Sequence, residues 1–87
     1  MFEWDENKNK SNIKKHGISF QTASRVFDDV NRIEMYDEEN SITEDRYNTI
    51  GMVDDILFVV YTERNEKIRL ISARIAEEPE RRLYYGC

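Results

Sequence analysis

Ile56-Leu57-Phe58-Val59-Val60-Tyr61-Thr62 is apolar, aromatic or β-branched at every position. Such a run, short and without polar alternation, predicts a central strand covered on both faces. The chain on either side reads as more sheet. Downstream, Asn65 marks a turn and Lys67 to Ile75 forms a further strand. If the loop is the two residues Asn65-Glu66, Arg64 pairs with Lys67 and Thr62 with Arg69. Arg64, Lys67 and Arg69 then share a face. Upstream, Arg46 to Val53 reads as a strand closed by Asp54-Asp55, and Arg32 to Tyr36 alternates as a half-buried strand. Between those two lies an acidic loop, Asp37 to Thr43, the best candidate for a mobile segment.

The first third has a different period. Asp5 to Lys15 lacks Gly and Pro and predicts a helix closed at Gly17, with Ile13 as its main apolar anchor. Ser19 suits the N-cap of a second helix, in which Phe20, Ala23, Val26 and Phe27 form one apolar stripe. Pro79 suits the first turn of a C-terminal helix ending at Tyr84-Tyr85, a pair that either stacks on bases or seals the core edge. The expected fold is therefore α+β: two N-terminal helices, a four-stranded antiparallel sheet and a short C-terminal helix. Residues 1–87 make one domain, since 87 residues of 39% hydrophobic content support a single core.

Composition removes several functional classes. No apolar run approaches membrane-spanning length, and the N-terminus has neither the basic nor the apolar region of a secretory signal. The single cysteine, Cys87, has no internal partner for a disulfide, which fits a reducing cytoplasm. One histidine and one terminal cysteine leave no thiolate zinc site and no Cys–His nucleophile. The three glycines are isolated, so no phosphate-cradling loop exists. No metal and no cofactor is expected. The net charge of −5 is segregated: residues 28–55 carry ten acids against Arg32 and Arg46, while residues 64–74 carry Arg64, Lys67, Arg69 and Arg74 against Glu66. An acidic band suits a basic protein partner, and a basic patch suits a polyanion.

The arginines admit two readings. Guanidinium groups gathered on a sheet bind phosphate through paired hydrogen bonds and stabilise charge on a phosphate under attack. Alternatively they are ordinary strand arginines paired with Glu63, Glu66 and Glu34. Strict alternation sends Arg74 to the face opposite Arg69, unless Arg74 lies beyond the regular strand where the chain bends toward the last helix. That position is the one expected here. His16 either exchanges a proton with a ribose hydroxyl or simply closes its helix.

Phe2-x-Trp4-Asp5-x-x-Lys8-x-x-x-Asn12-x-x-Lys15-His16-Gly17-x-Ser19-Phe20, followed by Ala23-x-x-Val26-Phe27-x-Asp29, resembles the opening of the BrnT family of bacterial toxins. Glu44-x-Arg46, Gly51, Thr62-x-Arg64, Ile68-Arg69-Leu70-Ile71-Ser72-Ala73-Arg74-x-Ala76 and Glu80-Arg81-x-x-Tyr84 extend the resemblance over almost the whole chain. It implies a RelE-like ribonuclease of a type II toxin–antitoxin system that inhibits translation by cutting RNA. The implied partner is a BrnA-type ribbon-helix-helix antitoxin, through which the toxin meets operator DNA only indirectly. The same resemblance places Arg46, Arg64, Arg69 and Arg74 at motif positions. The expected enzyme is a metal-independent endoribonuclease using Arg64, Arg69 and Arg74 on the phosphate, with Arg46 in support and His16 for proton transfer. The alternative is a non-catalytic module that acts only by binding its antitoxin.

Overall fold

A computed structural model describes residues 1–86; the expectation for Cys87 lies outside the described residues. The element order is β1 (Phe2–Glu3), α1 (Glu6–His16), α2 (Phe20–Ser24) running into a single 3₁₀ turn (Arg25–Asp28), β2 (Ile33–Tyr36), β3 (Tyr47–Val53), β4 (Asp55–Arg64), β5 (Lys67–Ile75) and α3 (Glu78–Tyr85). The strands form one sheet in the order β1-β5-β4-β3-β2. This corrects the expected architecture of two N-terminal helices, a four-stranded antiparallel sheet and a short C-terminal helix. The sheet is five-stranded and mixed, because β1 pairs with β5 in parallel, Phe2 opposite Ile68 and Glu3 opposite Arg69. The second helix is also divided, its last turn tightening to 3₁₀ geometry. No helix among the described residues is long and apolar enough to cross a membrane.

The hairpin of β4 and β5 forms in the expected register, Arg64 opposite Lys67 and Thr62 opposite Arg69. Asn65 and Glu66 both take positive φ, 53° and 65°, the turn geometry that a two-residue hairpin with right-handed strand twist requires. β4 is the central strand, as its composition implies. Its odd-numbered side chains, Leu57, Val59 and Tyr61, are buried under the helices together with Phe20, Ala23 and Val26. Its even-numbered side chains face the other way: Ile56 and Phe58 pack with Ile50, Ala76 and Tyr84 beneath α3. Gly51 lies where the 3₁₀ turn presses on β3. A β-carbon there would stand 3.0 Å from Val26 Cβ and 3.2 Å from the Val26 carbonyl oxygen, so close approach of backbone demands glycine.

α1 is held by polar groups, not by Ile13, which is 43% exposed. Its buried residues are Asn9 and Asn12, one helical turn apart. Asn12 Nδ2 donates to the carbonyls of Ile18 (2.8 Å) and Ala73 (2.8 Å), and its Oδ1 accepts from Ala73 N–H (3.1 Å). Asn9 Oδ1 accepts from Phe20 N–H at 2.8 Å. Because β1 covers β5 only at Ile68 and Arg69, the rest of that edge is unpaired by any strand. The Asn12 carboxamide takes the strand's place at Ala73. At the two ends of α1, Asp5 accepts from Asn7 and Lys8 N–H, and Gly17 closes the helix at φ 74°, as expected.

Candidate nucleic-acid interface

The face of the sheet away from α1 and α2 carries the arginines. α3 covers one end of it. Arg64, Arg69 and Arg46 stand at the other end, brought there by three different segments. Glu44, in the loop before β3, binds the first of them. Arg64 Nη2 donates to Glu44 Oε1 at 2.8 Å. That hydrogen bond is the main cause holding the Glu44 carboxyl below its usual range, with the charges of Arg64, Arg46 and Arg69 adding to it. The loop itself is pinned to the sheet by buried Thr62, whose hydroxyl donates to the Asp45 carbonyl. Arg69 makes one long contact, 3.4 Å, to Glu3 across the parallel β1–β5 pair. The arginine partners are thus Glu44 and Glu3, not Glu63, Glu66 or Glu34. Glu63 alternates to the opposite face of β4, and Glu34 is engaged by Arg32 and by the Tyr61 hydroxyl.

Arg74 is placed differently from expectation. It lies inside β5, opposite Phe58, not beyond the strand. It nonetheless shares a face with Arg69, because the register with β4 slips between Val60 and Tyr61 and leaves Ile71 as an extra, bulged residue. The bulge resets the alternation, so Leu70 and Ala73 are both buried on the helix side while Arg69, Ser72 and Arg74 face the other way. Five residues of strand still separate Arg69 from Arg74 by roughly 16 Å, too far to share one phosphate. Arg74 is also fully engaged. Its fork meets Glu80 through two bonds, Nη1–Oε1 2.8 Å and Nη2–Oε2 2.7 Å, and its guanidinium carbon sits 4.4 Å over the Phe58 ring. Glu80 simultaneously accepts from Glu77 N–H and completes the capping box of α3.

The same helix is fastened at its other end by Tyr84, whose hydroxyl donates to Asp29 Oδ2 at 2.5 Å. Asp29 also accepts from the backbone N–H groups of Met52 and Asn31. Tyr84 therefore seals the core edge. Its hydrogen bond to Asp29 and its burial push the phenol up to about 12, and the same bond holds the Asp29 carboxyl below its usual value. The sign follows from linkage. A lowered carboxyl stabilises the fold above the ordinary carboxylate range and loses that contribution as pH falls through its folded value. A raised phenol stabilises below about pH 10 and loses its contribution as pH rises from there to about 12. The melting temperature of the wild type should exceed that of Tyr84→Phe by a constant amount near neutrality. That difference should close between pH 10 and 12, as thermal melts in a buffer series would record.

His16 ends α1 beside Gly17 and lies apart from the arginine cluster, lining a groove of about 210 Å³ with Lys8, Ser11, Asn12, Lys15, Ile71 and Ser72. Two features of the site had no clear signal in the sequence. Glu3 arrives on a two-residue strand, too short for any periodicity, and Asn48 sits on the arginine face of β3 with its Oδ1 buried and without a partner among the described residues. Among the described residues, no three His, Cys, Asp or Glu side chains gather as a metal-ligand set.

No curated protein matches the chain. The model of one protein family, described as "Ribonuclease toxin, BrnT, of type II toxin-antitoxin system", matches residues 4–80. That span includes α1 with its asparagine clamp, the Glu44 loop, the bulged β5 and Glu80 of the Arg74 pair. The chain therefore belongs to the BrnT ribonuclease toxins of type II toxin–antitoxin systems.

Proposed function

We propose that the chain is a metal-independent endoribonuclease that inhibits translation in the cytoplasm and is neutralised by a BrnA-type ribbon-helix-helix antitoxin, operator DNA being met only through that partner. The observation that supports this reading most is the placement of Arg64 and Arg69 on one face of the β4–β5 hairpin, with Arg64 bonded to Glu44 in the loop that carries Arg46. In the proposed reaction the ribose 2′-oxygen attacks the adjacent phosphorus and the bond to the 5′-oxygen breaks. The products are a 2′,3′-cyclic phosphate and a 5′-hydroxyl. Arg69 and Arg64 neutralise the phosphate and Arg46 supports them. Arg74 holds α3 in place behind them. Of the carboxylates on this face, Glu44 is made a weak base by its arginines. Glu3, with its single long contact, is the better acceptor for the 2′-proton. His16, in the α1 groove apart from these arginines, takes no part in the step, and the leaving 5′-oxygen takes its proton from water.

One observation favours the non-catalytic alternative: Arg64, Arg69 and Arg74 each already have a carboxylate partner. The single-contact pairs of Arg64 and Arg69 contribute only about 0–1 kcal/mol, so the singly charged phosphodiester can displace them, while the two-pronged Arg74–Glu80 pair stays in place. Incubating purified protein with single-stranded RNA in excess EDTA separates the readings. Cleavage should proceed unchanged. Activity that vanishes on chelation and returns with Mg²⁺ would overturn the mechanism, and no cleavage under any condition would leave the binding module.

A further inference from the structure

The groove between α1 and the bulged edge of β5 is lined by Lys8 and Lys15 and by no carboxylate. Lys8, Ser11, Asn12 and Lys15 fall at i, i+3, i+4 and i+7, so one stripe of α1 faces β5. Asn12 clamps that stripe to Ala73, and the two lysines bracket the clamp, seven residues or roughly 10 Å apart along the helix. The ion pairs among the described residues all belong to arginines, so Lys8 and Lys15, like the other lysines of α1, have no carboxylate partner there. The helix dipole accounts for Lys15 and His16 at the C-terminal end of α1. It does not account for Lys8, a cation in the first turn, where the dipole opposes it.

The groove is also connected to the arginine face. Ser72 lines it, and the bulge at Ile71 makes Ser72 the residue that follows Arg69 on that face. A strand of RNA held by Arg64 and Arg69 and continuing past Ser72 therefore enters the groove. Resting on the ribonuclease reading above, we infer that Lys8 and Lys15 form a subsite for backbone phosphates of single-stranded RNA flanking the scissile one, reached over the β5 bulge.

The subsite can be tested without relying on cleavage. The probe is a single-stranded 2′-O-methyl oligonucleotide, whose blocked 2′-oxygen cannot attack. Its binding to the full chain is measured across a salt series for the wild type and two double variants. One variant is Lys8→Ala with Lys15→Ala. The other is Lys10→Ala with Lys14→Ala, which removes the same charge from the far side of α1. For two phosphate contacts the salt slope should fall by about 1.4. The dissociation constant should rise roughly 10- to 25-fold at 0.1 M salt in the first variant, and change little in the second. Equal losses in both variants would reduce the effect to net charge and overturn the subsite, as would no loss in either. Cleavage of natural RNA by the wild type is scored in parallel. An intact cleavage reaction with indistinguishable variants sinks the subsite alone, whereas a lysine-dependent complex without cleavage sinks the enzyme and leaves the subsite.

Discussion

Arg69→Ala should lower the rate of RNA cleavage by roughly 100- to 1,000-fold, the loss seen when one preorganised donor to a developing oxyanion is removed. Arg69 is the more weakly paired of the two arginines assigned to the phosphate. Its acidic partner among the described residues is Glu3, at 3.4 Å, and its side chain is 27% exposed. Arg69→Lys should recover little, because an ammonium cannot reproduce the two-pronged geometry of a guanidinium on phosphate. Stability should change by less than about 1 kcal/mol in both variants, as for other half-exposed ion pairs. Single-turnover cleavage beside thermal melts of the same preparations reads both quantities. A fully active Arg69→Ala enzyme would remove the cluster from the mechanism, and an inactive but unfolded one would make Arg69 structural.

Asn12→Ala should destabilise the chain by about 3–5 kcal/mol. It strips partners from three backbone groups, the N–H and carbonyl of Ala73 and the carbonyl of Ile18, at about 1–3 kcal/mol each when buried. In a domain whose total stability is of order 5–15 kcal/mol, that is enough to unfold it near 37 °C. Asn12→Asp should fare no better, since a carboxylate keeps the acceptor for Ala73 N–H but donates to neither carbonyl and buries a charge. Urea denaturation measures the change; a loss below 1 kcal/mol would show that α1 is held by something other than its asparagines.

The asparagine clamp also shows where the sequence could be read and where it could not. The strand at Ile56–Thr62, the hairpin register through Asn65-Glu66, the cap at Gly17 and the apolar stripe from Phe20 to Phe27 all rest on local chemistry, and the structure has them. The parallel strand Phe2–Glu3 rests on a contact 66 residues away in sequence and has no local signature. Ile71 bulges without the glycine that often marks such a kink, so strict alternation put Arg74 on the wrong face. The partners of the arginines, Glu44, Glu3 and Glu80, arrive from a loop, an edge strand and a helix, which residue spacing along one hairpin cannot specify. One signal was present. A helix with almost no apolar face but with asparagines one turn apart at positions 9 and 12 must be anchored by hydrogen bonds.

The central claim is that this chain cuts RNA by attack of the ribose 2′-hydroxyl on a phosphate held by arginines, and the chemistry of the cut ends tests it most directly. Fragments released from a defined single-stranded RNA should carry a 2′,3′-cyclic phosphate, or the 3′-phosphate it hydrolyses to, on one side and a 5′-hydroxyl on the other. Mass spectrometry of the products distinguishes these ends without further treatment. Fragments bearing a 3′-hydroxyl and a 5′-phosphate would mean that water, not the 2′-oxygen, attacks the phosphorus, and would contradict the account.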